Sequence, residues 1–120
     1  MNENFATEEK LYRAVYPSRM YWKENGQLSS AAFLSKSAGC SMERGDMRED
    51  VEVISHMREL NFRGHIVSVQ VKNCLDADAV VEYSPSKANE YHSEIYGNEE
   101  HRHLSPRQRR HLAETAIIVD

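Results

Sequence analysis

The chain has 120 residues, of which 40% are hydrophobic and 28% are charged, so it holds enough apolar material for one domain core and is too short for two domains. With five glycines and three prolines it is neither collagen-like nor of low complexity, and no apolar run is long enough to span a membrane. The net charge is −4. Nucleic-acid-binding proteins are usually basic overall, so this charge argues against that class of protein.

The start of the chain and its cysteines indicate a cellular compartment. The first residues are polar and acidic and lack the apolar segment of a secretory signal, so we expect a cytoplasmic protein. Cys40 and Cys74 lie far apart and form no Cys-x-x-Cys motif, so we expect two reduced thiols packed as small apolar side chains. We expect a single domain over residues 1–120, in which residues 1–7 form a flexible arm.

The first predicted element is a strand. Residues 8–16 form a short segment before Pro17 that could be a strand or a helical turn. Its aromatic side chains and Val15 favour a strand. Residues 17–27 are predicted to form a loop with a turn at Asn25-Gly26. Trp22 lies in this loop, and its large ring favours a packed conformation.

The second predicted element is a long helix over residues 46–62. Asp46 is predicted to be its N-cap, with Glu49 three residues later completing a capping box, and Gly64 follows its end. Residues 28–45, rich in small and polar side chains, receive no helix or strand.

The second half of the chain is predicted to alternate strands and turns before a final helix. Three strands are predicted from alternating polarity or β-branched content, over residues 65–72, 79–83 and 91–96. Ser105, with Pro106 and Gln108 after it, has the pattern of a helix start, and the helix should reach Ala116. Residues 117–119 are predicted to form a short strand. The fold class is therefore α+β, with an antiparallel or mixed sheet and two main helices.

His92 and Glu94 form the first candidate site. They lie two residues apart on a predicted strand, so both project from the same face, about 7 Å apart. A histidine that titrates near neutrality beside a carboxylate can act as a general acid/base pair, so we assign them as catalytic candidates. We expect them to face a cleft that also receives Arg13 or Arg44. The alternative is a polar outer sheet face without chemistry.

A basic segment forms the second candidate site. Residues 101–111 contain four arginines, three histidines and no acid. Arg102 and Arg107 flank the helix start at Ser105, where free N–H groups and the helix dipole favour a phosphate or carboxylate. The alternative is a solvated helix face. Because the arginines would repel a cation, no metal site is predicted.

Ser29 and Ser30 are further ligand-binding candidates. They precede Ala31-Ala32-Phe33, and no Gly-x-Ser-x-Gly motif surrounds them that would mark a nucleophile. The alternative is a packed segment of small residues in which the serines cap a turn.

Four segments together resemble a small stand-alone bacterial family that carries no assigned activity. They are Leu11-Tyr12-Arg13, Ser29-Ser30-Ala31-Ala32-Phe33, Ser41-Met42-Glu43-Arg44 and Tyr91-His92-Ser93-Glu94-Ile95. The chain is also similar to ADP-ribosyltransferase-like folds, which carry an arginine or histidine on an early strand, then a serine-rich strand, then a glutamate. Arg13, Ser29-Ser30 and Glu94 follow that order. The chain departs from these folds in lacking a Ser-Thr-Ser sequence and in being short.

Two functions remain open from the sequence. In the first, the protein recognises a phosphate-bearing or nucleotide-like ligand in a polar cleft formed by Arg13, Arg44 and the other candidates, with His92 and Glu94 as acid and base. In the second, it is a non-enzymatic accessory or antitoxin-like protein-interaction module that uses the region of Trp22 and the last helix. The sequence assigns no cofactor, no membrane association and no oligomeric state.

Overall fold

The fold is an antiparallel sheet with helices on both faces, seen in a computed structural model that describes residues 5–35 and 39–120. The strands are β1 Lys10–Val15, β2 Cys40–Arg44, β3 His65–Gln70, β4 Val80–Tyr83, β5 His92–Tyr96 and β6 Ile117–Ile118. The helices are α1 Asp50–Glu59, α2 Val71–Asp76 and α3 Pro106–Thr115, and a 3₁₀ turn covers Ser30–Phe33. The Cα radius of gyration of 13.2 Å matches the value of about 13.6 Å expected for one domain of this length. The predicted α+β class is confirmed.

Six strands pair in the order β4-β5-β2-β1-β3-β6, and each neighbouring pair is antiparallel. Alternation along β1 sends Leu11 and Val15 to one face, where they pack with Leu112 of α3. Tyr12 points to the opposite face and packs with Val53 of α1. We call these the α3 face and the α1 face.

Helix α1 begins later than predicted. Asp46 and Met47 have φ values of 50° and 66°, a left-handed conformation that a right-handed helix cannot contain, so the prediction of Asp46 as N-cap is wrong. The N-cap is Glu49, which forms a capping box with Glu52. The helix ends at Glu59, before the left-handed Asn61.

One strand and one α-helix, besides the 3₁₀ turn, were not predicted. Strand β2 lies in a segment predicted to be irregular, because the side chains of Glu43 and Arg44 read as exposed although both are buried. The strand predicted over residues 65–72 ends at Gln70, and α2 begins at Val71. Val71 and Cys74, three residues apart, form the buried face of this short helix.

The remaining elements agree with the pattern. Strands β1, β3, β4 and β5 fall within predicted strand ranges, and the predicted capping box between Ser105 and Gln108 starts α3. Residues 1–4 of the expected arm lie outside the described residues. Within residues 5–7, Phe5 packs against the core and the Thr7 carbonyl accepts the Lys72 N–H at 2.9 Å. In the described part of the chain no helix is both long and apolar enough to cross a membrane.

The capping box of α3 gives the first testable prediction. Ser105→Ala removes the acceptor of the Gln108 N–H, so the free energy of unfolding should fall by about 1 kcal/mol. Ser105→Asp should retain most of that stability, because aspartate is also a favoured N-cap. Urea denaturation measures both variants, and an equal loss in the two would contradict the capping role.

The two thiols give the second prediction. Cys40 and Cys74 are free and buried, and burial raises the pKa of the Cys74 thiol to about 12. Because the thiolate is the reactive form, neither thiol of the folded protein should react promptly with a thiol reagent near pH 8, about the ordinary pKa of cysteine. In denaturant without reductant both should react at once. A fast-reacting thiol in the folded protein would show that one site opens.

Candidate functional site at the strand fork

The pairing between strands β1 and β2 ends after a short ladder. β1 shares six register pairs with β3 but only Leu11↔Arg44 and Tyr12↔Glu43 with β2. Arg13 is the next residue of β1, and its guanidinium donates from Nε to the Ala32 carbonyl at 2.8 Å and from Nη1 to the Ser41 carbonyl at 2.7 Å. We call this opening, bounded by Arg13, Ala32 and Ser41, the strand fork.

The guanidinium of Arg13 keeps unused hydrogen-bonding capacity. An arginine side chain has five N–H donors, and those two bonds use two of them. The other three, including both on Nη2, have no acceptor among the described residues. Arg13 lines two cavities, one of about 80 Å³ and one of about 140 Å³. The fork therefore presents spare cationic donors beside open space.

The smaller cavity brings together part of the predicted site. Its polar lining consists of Arg13, Ser41, Glu43, Asn89 and His92. Arg13 and His92 thus share one cavity, whereas the sequence predicted a cleft faced by both His92 and Glu94 together with Arg13 or Arg44.

His92 is held so that one ring nitrogen is left over. Its Nδ1 lies 2.9 Å from the Ser84 carbonyl oxygen and 3.1 Å from the Ser84 hydroxyl. Because a carbonyl oxygen only accepts, Nδ1 carries the proton in the neutral ring. Nε2 then keeps its lone pair and can accept a proton or a hydrogen bond.

Glu94 shares a strand face with His92 but does not line the small cavity. Its register partner is Ser41, and a side chain at Gly39 would collide with its carboxylate. Within residues 5–35 and 39–120 this carboxylate makes no hydrogen bond or ion pair. Burial raises the pKa of the Cys40 thiol, the charge of Arg13 lowers it and the charge of Glu94 raises it, so both charges act on the same thiol.

The strand faces decide how these groups can meet. Arg13 pairs with Val67, whose side chain lies in the α3-face core, and His92 pairs with Glu43, which contacts α1. Alternation therefore assigns Arg13 to the α3 face, and His92 and Glu94 to the α1 face. A ligand can touch both sets only through the strand fork.

A buried carboxylate forms the floor of the site, and sequence reasoning missed it. Glu43 is 2% exposed, and its carboxylate lies 2.8 Å from His56 Nδ1, 3.0 Å from Arg48 Nη2 and 3.0 Å from Asn89 Nδ2. The Arg48 guanidinium also lies 3.5 Å above the Tyr91 ring. The sequence signal for this group is the Ser41-Met42-Glu43-Arg44 segment, whose resemblance to a bacterial family implies no role for Glu43.

The other predicted arginines lie away from the fork. Arg44 binds Glu9 through two bonds of 2.8 Å, and its guanidinium lies 4.3 Å from the centre of the Phe5 ring and 4.9 Å from that of Tyr83. Its register partner Leu11 places it on the α3 face, so it does not join His92.

Arg102 and Arg107, near the start of α3, each lie close to a carboxylate. Arg102 lies 3.9 Å above the Tyr96 ring and 3.4 Å from the carboxylate of Glu82. Arg107 lies 3.2 Å from the carboxylate of Asp78. They do not converge with the residues of the fork.

Ser29 caps the 3₁₀ turn, and Ser30 is the first residue of that turn. The Ser29 hydroxyl accepts the Ala31 N–H at 3.2 Å and caps the 3₁₀ turn that begins at Ser30. This turn carries Ala32, whose carbonyl orients Arg13. The two serines therefore begin the turn that forms one side of the strand fork.

The comparisons with known proteins add no relative. No protein-family model, curated protein or solved structure matches this chain. Across the described ranges, no group of three or more histidine, cysteine, aspartate or glutamate side chains is placed to hold a metal ion.

The buried carboxylate gives the third prediction. Glu43→Gln leaves the Arg48 guanidinium without its counter-charge, and breaking a buried pair in this way costs roughly 3–5 kcal/mol. Glu82→Gln, which alters a half-exposed carboxylate 3.4 Å from Arg102, should change stability by less than about 0.5 kcal/mol. Denaturant titration measures both variants. Equal small effects would show that the Glu43 network does not hold α1 on the sheet.

Proposed function

We propose that this protein binds a small phosphate-bearing or nucleotide-like ligand at the strand fork, with Arg13 as the principal anion contact. The observation that carries the proposal is the set of three Arg13 N–H donors without an acceptor, beside two cavities. Charge-assisted bonds from guanidinium to phosphate are stronger than neutral ones, and the planar group can contact two oxygens at once.

The dimensions of the fork limit how a ligand would sit. Cavities that hold whole ligands usually exceed about 300 Å³. The cavity of about 80 Å³ is too small for a whole ligand, so we place only a phosphate group in it. The cavity of about 140 Å³ on the other side of Arg13 is lined by Tyr16 and Tyr21. We place the phosphate against Arg13 and an aromatic part of the ligand against these tyrosine rings, where stacking is favourable.

His92 and Glu94 supply the acid and base of the proposed site. With Nδ1 bonded to Ser84, the free Nε2 of His92 can take a proton from a bound ligand or from water. The unpaired carboxylate of Glu94 lies on the same strand face, about 7 Å along the strand. The order of Arg13, Ser29-Ser30 and Glu94, similar to ADP-ribosyltransferase-like folds, adds NAD to the ligands worth testing.

The fourth prediction concerns Arg13. Inorganic phosphate, AMP, ADP-ribose and NAD are titrated against the protein in thermal-shift and calorimetric measurements, and a bound ligand should raise the apparent melting temperature by mass action. Arg13→Gln should weaken the binding at least about tenfold, because a charge-assisted bond contributes about 1.5–3 kcal/mol.

Arg102→Gln and Arg107→Gln are the matched controls, since these arginines already face Glu82 and Asp78. Both should keep the affinity of the unaltered protein. Loss of binding in these two variants, with Arg13→Gln unaffected, would move the anion site to the start of α3.

His92→Ala and Glu94→Gln should reduce turnover of a bound ligand with little change in melting temperature. A fall in melting temperature with unchanged binding would make them structural.

A further inference from the structure

Strand β6 forms an edge of the sheet with free backbone groups. It pairs with β3 through Val67↔Ile118 and Ser68↔Ile117, and no strand pairs with its other side in the described chain. The Val119 N–H donates to the Ile66 carbonyl at 2.9 Å, so Ile118 occupies the intervening position, which is not hydrogen-bonded. In an antiparallel ladder the N–H and C=O groups at such a position point away from the partner strand. Ile118 therefore offers one donor and one acceptor at the edge.

The side chains at this edge are apolar and exposed. Ile117 is 62% exposed and Ile118 is 53% exposed. An exposed apolar strand edge invites pairing, and sheets usually protect such edges. At the opposite edge, all four side chains of β4 are partly covered.

A groove runs beside Ile118 on the α3 face. Cavities of about 540 Å³ and about 750 Å³ share Trp22, Lys23, Gly26 and Ile118 in their linings, and we call them together the Trp22 groove. The Trp22 ring is fixed by a 2.9 Å bond from Nε1 to the Tyr16 carbonyl. The groove is therefore a preformed surface of mixed polarity next to the free strand edge.

The Trp22 groove is lined by equal numbers of positively and negatively charged side chains. Its lining includes Arg19 and Lys23 together with Glu24 and Glu114. None of the four makes an ion pair with another described side chain. A surface with two charges of each sign can meet its own copy without net repulsion, whereas a strongly acidic or basic partner would leave one sign unmatched.

We infer that this surface binds a second copy of the chain, with β6 pairing antiparallel to β6 of the partner about a two-fold axis at Ile118. The single outward-facing residue fits this symmetry, because a two-fold axis at Ile118 lets the two copies exchange both N–H···O bonds at one position. The two sheets would continue into each other and the two Trp22 grooves would flank the seam. This inference does not rest on the proposed ligand site, which shares no lining residue with the groove.

The fifth prediction is that the protein forms a dimer in a concentration-dependent equilibrium that sedimentation velocity measures. Ile118→Pro removes the outward N–H without removing a bond to β3, so the dimer should weaken at least about tenfold. Leu75→Lys, at an apolar residue of α2 that is 51% exposed, is the matched surface change and should dimerise normally. A monomer at every concentration, which leaves the edge to another partner, would overturn the inference. Equal dimerisation of Ile118→Pro would do the same.

Engineered disulfides test the register directly. In the proposed pairing the two Ile118 Cα atoms form a hydrogen-bonded pair about 5.5 Å apart, which suits a disulfide, so Ile118→Cys should cross-link rapidly under mild oxidation. Ile117→Cys is at least as exposed, but the two-fold axis separates the two Ile117 positions by more than about 7 Å, too far to bridge. Non-reducing electrophoresis reads the result, and Cys40 and Cys74 are buried in both variants. Equally fast cross-linking of both variants would contradict the register.

Discussion

The buried carboxylate of Glu43 ties together three separate segments on the α1 face of this sheet. Removing an ion from water costs several kcal/mol unless charges and hydrogen-bond donors replace its hydration. Three donors meet this need from separate segments: Arg48 before α1, His56 within α1 and Asn89 before β5. The carboxylate thus fixes where α1 crosses the sheet and how the chain enters β5, and so it sets the position of His92, the register partner of Glu43.

Elements with a local signal could be predicted, and elements defined by distant partners could not. The alternation in β3 and the cap at Ser105 are written in adjacent residues. Strand β2 carries Glu43 and Arg44, two buried charges whose partners include His56 and Glu9, residues far along the chain. A pattern of polarity reads such residues as exposed, so it assigns no buried strand.

The start of α1 was misplaced for a similar reason. The Asp46 N–H bonds to Glu9, and the Gly45 N–H bonds to the Lys10 carbonyl, so the chain after β2 is held in a left-handed bend. Asp46 is of a residue type favoured at the N-cap, whereas Glu49 is not, so local preference favours the earlier start. Only the contacts with the β1 segment decide that the later one begins the helix.

The candidate site follows the same division. From the sequence, Arg13, Arg44, Arg102 and Arg107 are equivalent cations, and only tertiary contacts separate them. Arg44 is tied to Glu9, and Arg102 and Arg107 face carboxylates of their own. Arg13 instead bonds two backbone carbonyls, which neutralise none of its charge.

The end of the β1–β2 ladder explains why Arg13 is held in place at the strand fork. Where the β1–β2 ladder stops, backbone carbonyls lose their strand partners and need other donors. Arg13 supplies one such donor to the Ser41 carbonyl of β2 and bonds the Ala32 carbonyl of the 3₁₀ turn as well, so its guanidinium is oriented by the fold before any ligand arrives. A group held in its binding geometry loses little conformational entropy on binding, which raises affinity without new contacts. The break in the ladder therefore removes backbone hydrogen bonds and, in the same place, fixes a cation that makes no ion pair with any described side chain.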